Sequence, residues 1–273
     1  LPGLTARPLA AYLSAIGLFR IVASQADPGA RASWTGGHLA LHTVLDEPEL
    51  RAFLSERYSP TPLVAPWNGS DQGGLKPGAT SRAAGLVDWV STSDQPRLDG
   101  FRKVVQITRS LVHGDRWQRL ADSSDKGAKA SMVRLARNAL PDDALPFFDA
   151  AVALTGDGIY YPPIFGTGGN IGRLDLVTNY IEHLKRIIEP GKADRPDDWL
   201  DELLSGHARP GVSSTPGQFD YQGVGGPNQG RGAPASERVN PWTYVLSIEG
   251  ALAFAASATR RLGASRSFAS APF

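Results

Sequence analysis

Cysteine is absent from the 273 residues, which removes disulfides, thiolate zinc sites and thiol nucleophiles and fits a reducing compartment. No apolar run reaches the roughly 18 residues of a membrane-spanning helix, so no span is expected. Excess charge of either sign is missing too: 28 Lys and Arg stand against 27 Asp and Glu, a net charge of +1. Any surface for a polyanion must therefore come from local segregation of charge. There is no GxSxG elbow, no HExxH pair, no EF-hand loop and no paired-acid motif. The histidines (His38, His42, His113, His183, His207) are scattered, and His38 and His42 read as solvated residues of one strand. Neither a metal nor a cofactor is expected, and the chain does not read as an enzyme. The first residues lack a charged segment, an apolar stretch and a small-residue cleavage site, which argues against a secretory signal. A cytoplasmic protein is expected. The chain opens without methionine and closes on apolar residues, as a portion of a longer protein would.

Thirty glycines and 21 prolines demand long, shaped loops. Around them, apolar residues recur at helical spacing. Leu9, Tyr12, Leu13, Ile16 and Phe19 predict a helix over 6–26 capped by Thr5, and RASWT-GG-HLALHTV predicts a hairpin around Gly36-Gly37. A short helix follows Pro48, then a long loop over 58–78 containing a brief strand. Helices are expected near 80–91, 97–113, 126–140, 142–154, 173–189 and 197–205, with a short strand at 159–165. Residues 207–241 carry seven Gly and five Pro and read as an extended arm. Asn240 and Pro241 start a final apolar helix expected to run to Arg260 and Arg261. The expected class is α+β, mainly α-helical, with a small hairpin and short-strand element and long Gly/Pro-rich loops. The expected division is an α+β region over 1–206, an arm over 207–241 and a buried helix within 242–273.

Three segments carry candidate chemistry. In IFGTGGNIGRLDL (164–176) four glycines lead from a short strand into a helix. A Walker lysine is missing, since Arg173-Leu174 stands in its place, and no second parallel strand follows for a dinucleotide fold. What remains is a backbone turn that either serves the fold or presents Asn170 and Arg173 to a phosphodiester chain. The loop APWNGSDQGGLKPG (65–78) offers Asn68 to a base edge and Lys76 near its tip, while Trp67 either stacks on a base or anchors the core. Third, residues 97–137 hold ten Lys or Arg against four acids. Helical spacing puts Arg102 and Arg109 on one polar face, and Lys126, Lys129, Arg134 and Arg137 on the polar arc of the next helix, two faces that favour polyanion contact. Glu249 is out of place in the apolar last helix and reads as a hydrogen-bonded structural acid.

Read in order, LPGLTARPLAAYLSAIGLFRIVASQADP, ERYSPTPLVAPWNG, GTGGNIGRLDL and GGPNQG followed by VNPWTYVLSIEGALAFAASATRRLG resemble one family. It is the large subunit of the subtype I-G (formerly I-U) CRISPR type I surveillance complex, Cascade, and the likeness covers nearly the whole chain as that protein's N-terminal portion. Ile171 stands where the family's glycine motif carries an acid or amide. The resemblance implies a non-enzymatic subunit in antiviral defence that recognises the protospacer-adjacent motif (PAM) in target double-stranded DNA. It would contact the guide-RNA end and stabilise the R-loop. Implied partners are the guide crRNA, the target duplex, the Cascade backbone and guide-end-binding subunits, and a recruited helicase–nuclease; no membrane is involved. Two other readings stay open: a scaffold subunit that touches only protein neighbours, and a nucleotide-dependent enzyme.

Overall fold

Ten α-helices and four two-stranded antiparallel sheets make up the described residues of the computed structural model, a mainly helical α+β fold. The structure describes residues 1–125, 127–155, 158–161, 165, 175–214, 219, 238–254, 257–259, 262–263 and 268–270. Its residues group into two compact units.

Among the described residues, the first unit is built from 1–59, 179–214, 219 and 238–253. Helix α1 (Leu9–Gln25) begins later than its apolar spacing suggests, because Pro8 occupies its N-cap and Thr5 forms a bridge to His38. The hairpin β1 (Arg31–Thr35) and β2 (His38–His42) turns on Gly36 and Gly37 with φ of 59° and 83°, the left-handed pair that a two-residue turn requires. Its register pairs Trp34 with Leu39. Helix α2 (Glu47–Ala52) starts on a capping box: Asp46 accepts from the Glu49 backbone, and the Glu49 carboxylate accepts from the Asp46 backbone.

Two further helices, α9 (Pro196–Ser205) and α10 (Pro241–Ala251), belong to this unit with the short pair β5 (Val212–Ser213) and β6 (Arg238–Val239). Asn240 caps α10, its side-chain oxygen accepting from Trp242 and Thr243 at 2.9 and 3.3 Å. The helix expected to reach Arg261 stops at Ala251. A 3-10 turn (Leu252–Phe254) follows and then strand β7 (Ser257–Thr259), paired with β8 (Phe268–Ser270). Strand pairing overrides the helix preference of an alanine-rich run. Arg260 and Arg261 lie outside the described residues. Helices α1 and α10 pack backbone to backbone. A Cβ at Gly17 would stand 2.0 Å from the Leu246 carbonyl oxygen, and one at Gly250 only 1.9 Å from that of Leu13.

The second unit takes residues 60–161, 165, 175–178 and 254–270 among those described. It contains α3 (Arg82–Thr92), α4 (Asp99–His113), α5 (Asp115–Ala121), α6 (Ala128–Ala139) and α7 (Leu145–Ala151). Strands β3 (Ala153–Leu154) and β4 (Ile159–Tyr160) follow, with the β7–β8 pair. Helix α4 buries Phe101, Val104, Val105, Thr108 and Val112, the face its spacing marks out. On α6 the buried stripe is Ala128, Met132, Val133 and Ala136. Segment 58–78 holds turns where a brief strand is expected, and α5 is a helix outside the segments in which helices are expected. Helix α8 (Asp175–Ile188) contributes 175–178 to this unit and its later turns to the first.

Candidate functional site

The glycines of the 65–78 loop fix its path. Gly69, Gly73, Gly74 and Gly78 all have φ between 67° and 80°. Gly74 is also sterically required, since a Cβ there would meet Ala84 N at 2.5 Å. Asp71 ties the loop together. One of its carboxylate oxygens accepts from the Ser81 hydroxyl at 2.7 Å, and its carbonyl accepts from the Gly74 and Lys76 amides at 3.1 Å. The result leaves Lys76 exposed and Asn68 half-buried. Trp67 is 5% exposed and meets Phe148 edge-on, with ring centroids 4.9 Å apart. It is a core anchor, and its base-stacking alternative falls away.

Gln72, which sequence reasoning passed over, is the unusual member of this loop. Its φ is 55°, a left-handed conformation that costs a non-glycine residue about 1 kcal/mol. The side chain is 6% exposed, and its amide oxygen has no hydrogen-bond partner. An orphaned buried acceptor costs about 1–3 kcal/mol more. Both penalties fall on a residue in the wall of a groove of about 430 Å³. The loop from Pro66 to Lys76 forms one side of the groove. The end of α5 with the following turn, and the first turns of α6, form the other. Lys76 and Lys129, taken from two separate candidate segments, line it together, with Asp122 and Asp125. Lys129 also places its ammonium 5.6 Å from the centre of the Tyr161 ring.

The remaining candidates separate. Asn68 sits in the lining of two smaller cavities, one of about 220 Å³ with Asp71, Ser81 and Arg82. Lys126, Asn170 and Arg173 lie outside the described residues. Arg102 donates to Asp99 at 2.5 Å and to the carbonyls of Ser93 and Gln95. Arg109 donates to Asp88 and to the Ser91 hydroxyl. Arg137 holds Asp149 with both arms at 2.9 and 3.0 Å, a hydrogen-bonded pair that raises the guanidinium pKa further. Arg134 is exposed and reaches the Thr155 carbonyl at 3.4 Å. The expectation that these helix faces lack acidic partners therefore fails at Arg102, Arg109 and Arg137. For two of them the acid comes from a neighbouring helix: Asp88 on α3 for Arg109 and Asp149 on α7 for Arg137. By contrast, Lys76, Lys103, Arg116, Arg119 and Lys129 are exposed and form no ion pair among the described residues.

In the first unit one buried acid is fully paired. Glu249 is 0% exposed, and its carboxylate accepts from Tyr58 at 2.6 Å, Tyr180 at 2.9 Å and Arg20 at 2.5 Å. Burial, and then the charge of Glu249, push both phenols well above the usual tyrosine range. Asp201 joins Arg51 and Arg209, and its pKa falls mainly through the Arg209 hydrogen bond. Among the described residues no group of three or more His, Asp or Glu is placed to hold a metal ion. Nor is any described helix long and apolar enough to cross a membrane. No known protein family and no curated protein matches the chain.

Proposed function

We propose that this chain is the DNA-handling portion of the large subunit of a type I-G CRISPR surveillance complex, one that engages the target duplex near its protospacer-adjacent motif. The observation that carries the reading is the set of exposed cations in the second unit that form no ion pair among the described residues, Lys76, Lys103, Arg116, Arg119 and Lys129. In a chain of net charge +1, a local set of cations with no ion-pair partner is what polyanion binding requires. The four ordered sequence segments supply the family, and the missing catalytic motifs suit a subunit that grips nucleic acid and leaves cleavage to a partner. Lys76 and Lys129 would neutralise backbone phosphates, while Asn68 would approach base edges. Arg102, Arg109 and Arg137 then serve mainly to brace their helices.

The test is to crosslink the assembled complex to a labelled target duplex and map the labelled peptides. Labelling of the peptides carrying Lys76 and Lys129 supports the reading, and labelling confined to other subunits overturns it.

A further inference from the structure

The hairpin of the first unit has two edges of different kinds. Outside β2 runs the chain's own opening segment. There the Leu39 amide donates to the Leu4 carbonyl at 2.8 Å, the Ala6 amide donates to the Gly37 carbonyl at 2.9 Å, and Thr5 bridges to His38. Outside β1 no described residue pairs with the backbone, and all five residues from Arg31 to Thr35 are exposed.

The register fixes what that open edge presents. In a two-residue hairpin the residues flanking the turn exchange both backbone hydrogen bonds, and bonded pairs alternate with unbonded ones from there. Thr35 with His38, Ser33 with Ala40 and Arg31 with His42 are therefore the bonded pairs. The outward amide of Leu39 agrees with this phase, because Leu39 stands opposite Trp34 in an unbonded pair. Ala32 and Trp34 thus direct their N–H and C=O groups away from β2, with no partner among the described residues. Strand β1 carries none of the lysine, proline or bulge that usually blunts an edge. Trp34 is 40% exposed even though its ring stacks on Tyr12.

We infer that β1 is a self-association edge, which pairs antiparallel with β1 of a second copy of this chain about a twofold axis through Ser33. The occupant follows from the strand itself, since RASWT is complementary to its own copy in one register. Centred on Ser33, Ala32 faces the second copy's Trp34 and Trp34 faces its Ala32, so every outward N–H and C=O group meets a partner. Centred on Trp34, Ala32 would face the Gly36 turn. Centred on Ala32, Trp34 would face Ala30, whose amide already donates to Asp27. Side chains agree with the first register: the large Trp34 lies beside the small Ala32. Arg31, the one charge on the strand, faces Thr35 and not its own copy. Two hairpins then form one antiparallel sheet with closed twofold symmetry. The inference concerns the first unit and does not rest on the proposed function.

Sedimentation velocity of the full chain over a dilution series tests it. A strand-edge contact is small and belongs to the weak class of interface. The average mass should therefore climb from 29.1 kDa toward twice that value as concentration rises through about 10–500 µM. Hydrogen exchange gives the residue-level readout. Exchange at Ala32 and Trp34 should slow with concentration, while Ser33 and Thr35, already bonded to β2, should not change. Ala32→Pro removes an outward N–H and no bond to β2, so the hairpin stays and association should weaken about tenfold or more. Ser33→Lys alone, or Ser33→Glu alone, sets like charges opposite each other and should weaken association about threefold. An equal mixture of these two variants should associate at least as tightly as the unchanged chain. Position 33 is exposed, and a thermal melt checks that each variant keeps its fold. A chain that stays monomeric throughout, a dimer that Ala32→Pro leaves intact, or a mixture no tighter than either variant alone would overturn the inference. If a monomeric chain instead slows exchange at Ala32 and Trp34 when an extended peptide of alternating Thr and Val is added, the edge serves a partner protein and the second copy is excluded.

Discussion

Two buried polar side chains, one in each unit, stand in opposite situations. In the first, the Glu249 carboxylate is wholly enclosed and receives hydrogen bonds from two tyrosines and an arginine. In the second, Gln72 is nearly as enclosed, and its amide oxygen receives none. A satisfied network holds one arrangement of the helices around it, whereas an unsatisfied buried group costs stability wherever it occurs. The contrast separates a buried polar group that the chain fully serves from one that it does not, though both are enclosed.

Substitution at these two positions should move stability in opposite directions. Glu249→Ala leaves a guanidinium and two phenols without their shared acceptor, and a loss of about 3–5 kcal/mol is expected in urea unfolding. Gln72→Gly removes a strained, orphaned side chain, so its urea midpoint should match or exceed that of the unchanged chain. A Gln72→Gly protein that unfolds more readily would show that the amide supports the fold and break the contrast. Next in size is Gly250→Ala. Its Cβ would overlap the Leu13 carbonyl and push α1 and α10 apart, at a cost of about 1–3 kcal/mol in the same measurement.

The tyrosines give a third, spectroscopic test. Tyr58 and Tyr180 have folded pKa values raised above the ordinary value near 10.0, so they favour the folded state at lower pH, where both states are protonated. That contribution is lost as pH rises above the unfolded value, because the unfolded chain ionises first. In an ultraviolet titration of phenolate absorbance, these two of the seven tyrosines should stay silent until the protein unfolds, and Tyr58→Phe should leave one fewer late-titrating group.

Much of this arrangement is legible in the chain itself. Apolar spacing marks the buried face of α4, Gly36-Gly37 marks the hairpin, Asn240-Pro241 marks the start of α10, and a lone acid in an apolar helix marks Glu249. What sequence does not carry is which acid lands opposite which base. Asp88 lies 21 residues before Arg109 and Asp149 lies 12 after Arg137, so a count along one helix misses both pairings. The end of α10 is obscured because alanine-rich residues favour helix locally while a distant strand captures them. Gln72 has a local signal in the two glycines that follow it, which announce a left-handed turn. Its burial and missing partner emerge only once α5 and α6 wall the groove.

The proposed nucleic-acid role rests on the difference between paired and unpaired cations, and the salt dependence of duplex binding tests that difference directly. Each phosphate contact removed should flatten the slope of log K against log salt by about 0.9. For Lys76→Ala combined with Lys129→Ala, the expected result is a slope smaller by about 1.8 than that of the unchanged chain. For Arg102→Ala combined with Arg137→Ala, whose guanidiniums already hold Asp99 and Asp149, the slope should stay nearly unchanged. A slope that ignores the lysines, or that falls equally for the paired arginines, would contradict it.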